Sequence, residues 1–142
     1  MNRLSIIFCL ICSRITPKIV DCKRSGSSVV FNYTLTNDGM GDIKQWRMKG
    51  PSTLGGISPK SNIYDNLGNE YLYPTMMFRN KRYGESELSI DFPEGPACKG
   101  SVTISNFSEN ATKLNVILGV AVYSHSTNLA GNEIKFEDIP IY

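Results

Sequence analysis

Apolar and polar residues alternate along most of the chain, and a period of two is typical of half-buried β-strands. The clearest run sets Val29, Phe31, Tyr33 and Leu35 on one side, before Asn-Asp-Gly at 37–39 supplies a turn. Comparable runs occur near residues 46–48, 88–92, 101–105 and 134–136. Because Gly, Pro, Asn and Ser separate these runs, the pattern predicts about eight or nine short strands and little helix.

The most apolar stretch extends from Leu114 to Val122. Large apolar residues recur on one side of it, and Ile117, Gly119 and Ala121 occupy the other, which is typical of a central strand covered on both faces. The remaining strands have one apolar face each, and sheets of this kind bury those faces against each other. The sequence therefore predicts an all-β fold in which two antiparallel sheets form a sandwich.

Three segments carry a resemblance to a known family: DCKRSGSSVVFNYTLTN, NIYDNLGNEYLYP and PEGPACKGSVTISNFSENATKLNVI. Together they resemble the immunoglobulin-like domain of unknown function found in bacterial lipoproteins and exported envelope proteins, from about Ile15 to near Val122. One mark of the resemblance is a hairpin of the form Asp-x-x-Gly-Asn-x-Tyr, which residues 65–71 match. The resemblance implies an immunoglobulin-like antiparallel β-sandwich with Trp46 in its core, and it brings no catalytic residues.

The first 13 residues have the layout of a short secretory signal. Arg3 precedes an apolar run from Leu4 to Cys12, and the small residue Ser13 follows. No transmembrane span is predicted, because crossing a bilayer takes about 20 apolar residues. A buried strand is the alternative for this segment. We expect residues 1–13 to be a candidate signal and residues 14–142 a single β-sandwich domain, exported to the periplasm or cell surface of a bacterium.

Composition and charge are those of an ordinary soluble domain. The 142 residues carry 15 Lys and Arg against 13 Asp and Glu, which gives a formal charge of +2, and the cations are scattered along the chain. The densest basic stretch, Arg79 to Gly84, is typical of a solvated loop. We therefore expect no nucleic acid partner.

The four cysteines divide into two pairs. Cys9 and Cys12 lie within the apolar N-terminal run, with no second pair or nearby His to complete a metal site. If they are removed with a signal, Cys22 and Cys98 remain in an oxidising compartment, where an even number favours a disulfide. A Cys22–Cys98 bridge would close a long loop and contribute about 4 kcal/mol to stability.

Catalytic chemistry has little support in the sequence. His125 is the only histidine, and its neighbouring serines would point to the opposite face of an extended strand. Asp65, Asn66, Asn69 and Glu70 carry oxygens that suit Ca²⁺, but turn chemistry explains the same residue types. We expect no enzyme activity, no cofactor and no metal site.

Tyrosines in the middle of the chain are the candidate ligand-binding residues. Tyr64, Tyr71 and Tyr73 lie close together in sequence, and a flat ring offers large contact area at little entropic cost. Cross-strand packing is their alternative role. We predict a non-enzymatic module for binding, adhesion or assembly, with a protein or glycan partner at the cell surface. The alternative is a small carbohydrate-binding or hydrolase-accessory domain that uses these tyrosines.

Overall fold

The computed structural model describes residues 14–55, 59–123 and 128–142, which form ten strands in two antiparallel sheets. The strands are β1 (Ile15–Ser25), β2 (Ser28–Asn37), β3 (Ile43–Lys49), β4 (Asn62–Asp65), β5 (Thr75–Phe78), β6 (Lys81–Tyr83), β7 (Leu88–Phe92), β8 (Ala97–Ile104), β9 (Lys113–Tyr123) and β10 (Asn128–Pro140). The all-β prediction is confirmed. The alternating pattern missed β1, because most of that edge strand is exposed and its burial does not alternate, and it missed β5 and β6, because they are only 4 and 3 residues long.

The candidate signal at residues 1–13 and the histidine at 125 lie outside the described residues. In the part of the chain that the structure describes, no helix has the length and apolar character needed to cross a membrane.

The strand order is that of an immunoglobulin-like sandwich. One sheet has the order β1-β2-β8-β5-β6 and the other β10-β9-β3-β7, with β4 also paired to β9. In immunoglobulin letters the core strands are A-B-E-D facing G-F-C. Trp46 of β3, the counterpart of strand C, is fully buried, and its ring meets that of Phe92 edge-on at 5.0 Å. The predicted fold class and the core position of Trp46 are both confirmed.

Strand β9 is central, as the apolar run predicted. β10 pairs along one side of it, while β3 and β4 share the other side, with Lys49 opposite Gly119 and Asn62 opposite Ile117. Ser61 ties this junction together, because its hydroxyl accepts from the Gly119 amide at 2.9 Å and donates to the Lys49 carbonyl at 2.5 Å. Both faces of β9 are therefore covered, one by the opposing sheet and one by the residues before β4.

Asn37, which opens the predicted Asn-Asp-Gly turn, is a buried hydrogen-bonding centre at the end of β2. Its side-chain amide donates to the Gly41 carbonyl at 2.7 Å, and its side-chain oxygen accepts from the Met40 amide at 3.0 Å. Its own carbonyl accepts from the Gly95 amide at 3.1 Å. One residue thus closes the β2–β3 turn and attaches the segment after β7 to it.

The edge strand β1 is closed to pairing with a further strand. The Asp38 amide donates to the Arg14 carbonyl. Because backbone N–H groups along a strand point alternately toward and away from the neighbouring strand, the nitrogen of Pro17 points away from β2, on the open edge. Proline has no N–H there, so this position cannot donate to a further strand. A bulge at Val20 interrupts the strand, and Tyr142 bonds to the backbone of Cys22 and Arg24. Proline, bulges and covering segments are the usual protections of a sheet edge.

Cys22 and Cys98 are buried with free thiols, so the expected disulfide between them is not present. Cys22 lies opposite Phe31, which lies opposite Val102 of β8. Strand β2 therefore separates the two cysteine strands, and Cys98 is four residues along β8 from the row of Cys22. That offset is about 13 Å, whereas bridged cysteines have Cα atoms about 4.4–6.8 Å apart.

We expect both thiols to react slowly in the folded protein. Burial raises the pKa of Cys22 to about 11, and Asp21 adds to the shift; burial also raises the pKa of Cys98, against the opposing effect of Arg79. Because the thiolate is the reactive form, a Cys9→Ser/Cys12→Ser variant at about pH 8 should react with a thiol reagent rapidly only in denaturant. The slow native rate should increase as the pH is raised. Rapid native labelling at that pH would contradict this expectation.

Candidate functional site

A recess of about 390 Å³ opens beside β5 and β6, at one edge of the sandwich. The loop after β3, the approach to β5, and the β6–β7 segment all contribute to it. Its polar groups come from Ser52, Tyr73, Thr75, Arg82, Glu85 and Ser86. Three segments that are distant in sequence therefore meet around one concave surface.

The wall of the recess is held by a close contact between two loops. The buried hydroxyl of Thr53 accepts from the Gly50 amide at 2.9 Å and donates to the Gly84 carbonyl. A Cβ on Gly50 would lie 2.8 Å from the Gly84 Cα. Glycine at position 50 therefore permits the close approach of the two loops.

Tyr83 belongs to the lining but faces the core. Its side chain is 5% exposed. Burial raises the pKa of its hydroxyl well above the ordinary value, and neighbouring Tyr33 raises it further. Tyr83 therefore stays neutral and gives the recess a rigid base without adding charge.

Three exposed side chains give the recess its chemical character. Tyr73 is 84% exposed, so its ring is available for contact. Arg82 and Glu85 are exposed beside it, and neither forms a salt bridge within the described residues. A flat ring with a guanidinium, a carboxylate and several hydroxyls can bind a polar, ring-shaped ligand by stacking and hydrogen bonds.

A second recess, more open and with a larger volume of about 630 Å³, lies at the β1–β2 turn and is less suited to binding. Its cation, Arg24, already donates to the carbonyls of Ser108 at 3.2 Å and Ala111 at 2.8 Å. The Arg24 guanidinium also lies 5.4 Å from the centre of the Phe107 ring. Arg24 therefore stabilises this end of the sandwich, and its guanidinium is less available to a ligand.

The three candidate tyrosines occupy different environments. Tyr64 is half-buried in β4, opposite Asn115. Tyr71 is half-buried, and its ring stacks on Phe107 with centroids 4.9 Å apart. Tyr73 alone of the three lines the recess beside β5 and β6. The structure thus places Tyr64 and Tyr71 in packing positions and Tyr73 at a candidate site.

Asp65 organises the turn at residues 65–71, which matches the Asp-x-x-Gly-Asn-x-Tyr motif. Its carboxylate accepts from the Leu67 and Asn69 amides at 2.8 and 3.1 Å, from Asn69 Nδ2 at 2.9 Å and from the Tyr71 hydroxyl at 2.7 Å. Burial alone would raise the pKa of Asp65, but these bonds outweigh it and lower the pKa. The carboxylate of Asp65, one of the four side chains whose oxygens suit Ca²⁺, therefore binds the turn itself. Within the described ranges, no three acidic, Cys or His side chains are grouped to hold a metal ion.

The sequence pattern missed Arg82 and Glu85 as members of a site. Arg82 belongs to the basic stretch 79–84, whose composition is typical of a solvated loop. In the structure Arg79 and Asn80 have φ of 51° and 65°, the two positive values of a tight hairpin turn. The turn makes β6 a strand, so Tyr83 points inward and Arg82 outward.

Comparison with known proteins gives distant matches only. No family model matches the chain, and no curated protein matches it. Among solved structures it is similar to a conjugative transposon lipoprotein from Bacteroides eggerthii DSM 20697, with 10% identity, a TM-score of 0.39 and coverage of 87% of this chain and 95% of that one. It is also similar to the collagen-binding domain of a Staphylococcus aureus adhesin, with 10% identity, a TM-score of 0.34 and coverage of 85% and 96%.

Proposed function

We propose that this chain is a non-enzymatic immunoglobulin-like binding module of the bacterial cell surface, whose ligand occupies the recess beside Tyr73. The observation that carries the proposal is the exposed Tyr73 ring next to Arg82 and Glu85 in a concave site. Those side chains are free to bind, whereas a catalytic role would need an activated nucleophile or a positioned base.

The ligand class that suits this recess is a saccharide unit of a surface glycan. Sugar rings stack on tyrosine through their apolar C–H faces and present hydroxyls at their edges. Arg82 supplies donors for those hydroxyls, and Glu85 supplies acceptors. We therefore propose that the binding module recognises carbohydrate.

Location and domain extent complete the proposal. The signal-like layout of residues 1–13 supports export to the cell surface. The pairing of Tyr142 with β1, at the opposite end of the described chain, supports a single domain over 14–142.

A glycan array tests this function directly. We expect the protein to bind a defined subset of glycans and the Tyr73→Ala variant to lose about tenfold in affinity for them, a loss of about 1.4 kcal/mol. The matched control is Leu72→Ala, because Leu72 is adjacent and 49% exposed but does not line the recess. Titration calorimetry on one array hit gives the affinities.

The proposal fails if no glycan binds, or if Tyr73→Ala and Leu72→Ala bind glycans as well as the unmodified protein. Tyr71→Ala is unsuitable as a probe, since Tyr71 bonds to both Asp65 and the Ser108 amide. Its loss would disturb the fold.

A further inference from the structure

The outer face of the β1-β2-β8-β5-β6 sheet carries a surplus of positive charge, and we call it the basic face. Its exposed cations are Lys18, Lys23, Lys99 and Arg82, and the one carboxylate in its paired rows is Asp21. Within the described residues none of the four cations forms a salt bridge. The face therefore has cationic groups available to a partner.

The strand register spreads the cations over a polar surface. Lys18 and Lys99 both lie opposite Thr34, so two ammonium groups flank one hydroxyl across two strand spacings of about 4.8 Å each. The next row crosses all five strands as Asp21, Asn32, Ser101, Met77 and Arg82. The cations are thus separated by small hydrogen-bonding side chains.

The one carboxylate of this face is held in place by a neighbouring amide and keeps its negative charge. Asp21 accepts from Asn32 Nδ2 at 2.8 Å. The next acidic residue along β2, Asp38, lies beyond the strand end and accepts from the Thr16 hydroxyl.

The outer face of the opposite sheet carries charges of both signs. Arg47 pairs with Glu87 at 3.4 Å, and Lys135 lies between Glu133 and Glu137 along β10. Four cations and one carboxylate give the basic face a net charge of +3, whereas the whole chain has a formal charge of +2, so the remaining charged residues sum to −1. This asymmetry indicates an acidic partner for one face.

The side chains between the cations narrow the chemistry of that partner. The rows across the basic face contain no aromatic residue, and their apolar members are the half-buried Val30 and Met77 and the small Ala97. Exposed large apolar side chains in β1 are confined to Ile19 and Val20 at its bulge. Single-stranded nucleic acids use aromatic stacking platforms, protein interfaces use aromatic anchors, and helices that bind membrane surfaces use an extended apolar face. Cations set among Thr, Ser and Asn match a polymer that presents both negative charges and hydroxyls.

We propose that the basic face binds an acidic polysaccharide rich in uronic acid. Its carboxylates pair with Lys18, Lys23 and Lys99, and its hydroxyls bond to the side chains between them. This surface is separate from the recess beside Tyr73, although Arg82 borders both. It assigns the fold a second binding surface for an extended chain.

Two variants of equal net charge test this assignment. Lys18→Glu/Lys99→Glu reverses two charges on the basic face, and Lys113→Glu/Lys135→Glu reverses two exposed charges on the other sheet. Affinity for polygalacturonate is measured by calorimetry at low and high salt, with neutral dextran and duplex DNA as comparison polymers. We expect the affinity for polygalacturonate to fall at least tenfold in the first variant and less than threefold in the second. For the unmodified protein, this affinity should be lower at high salt, and dextran should bind only weakly.

The proposal is overturned if the two variants lose affinity equally, which would indicate a response to net charge alone. It is also overturned if the unmodified protein does not bind polygalacturonate, or if it binds duplex DNA as tightly as polygalacturonate. Both variants retain Tyr73 and Arg82, so glycan binding at the recess should persist in them. The two proposals can therefore fail independently.

Discussion

Replacing Gly119 by alanine is expected to cost about 3 kcal/mol or more of unfolding free energy. A Cβ at this position would lie 1.8 Å from the Pro59 carbonyl oxygen and 2.7 Å from the Lys60 carbonyl carbon. Both obstacles are backbone, so no change of rotamer relieves the clash. The β3–β4 segment would have to leave β9, which breaks the Ser61 bonds to Gly119 and Lys49. Thermal unfolding should show a midpoint lower by about 10 °C.

Two further substitutions distinguish the clash at Gly119 from the loss of stability that any substitution in these sheets would cause. Ile117→Val, on the same strand and face, should cost only about 1 kcal/mol. At Gly100 a Cβ would lie 2.2 Å from the Tyr33 ring, so Gly100→Ala should couple strongly to Tyr33→Leu in a double-mutant cycle. A Gly119→Ala protein as stable as Ile117→Val would show that the 59–61 segment does not pack against β9 as described.

Replacing Asp65 by alanine has the second largest expected effect, a decrease of about 3 kcal/mol in the free energy of unfolding. The change removes the acceptor from two backbone amides, the Asn69 side chain and the Tyr71 hydroxyl at once. These hydrogen bonds are partly buried, so donors that lose the carboxylate recover only part of their hydration. Urea unfolding of the purified variant gives the free energy.

Tyr71→Phe is the matched variant for this turn. It keeps the ring that stacks on Phe107 and deletes only the bonds to Asp65 and to the Ser108 amide, so it should cost about 1 kcal/mol. If Asp65→Ala cost no more than Tyr71→Phe, the carboxylate would not be the centre of the turn.

The fold class was predictable because a strand has a short local period. Alternation identified the inward positions of β2, and Phe31, Tyr33 and Leu35 are all buried. The run from Leu114 to Val122 identified the central strand for the same reason. Strands of three or four residues, such as β6, hold too few alternations to be recognised and become strands only through their neighbours.

The candidate site was only partly predictable. Tyr73 was named from sequence as one of three tyrosines, but the pattern could not separate it from Tyr64 and Tyr71. Their roles differ because Tyr71 meets Phe107 and Asp65, residues brought to it by the fold. Arg82 and Glu85 join Tyr73 because the β5–β6 turn and the Gly50–Gly84 contact bring their segments together.

The sequence by itself determined the apolar, inward side chains of strands such as β2 and β9 and turns such as 37–39, and hence that two sheets cover one core. Only the tertiary structure decided which strands are neighbours. That choice separates Cys22 from Cys98, closes the edge at β1, and aligns Lys18 with Lys99 across Thr34. The physical reason is that alternation sets the face of a residue locally, whereas register depends on contacts between residues far apart in the chain.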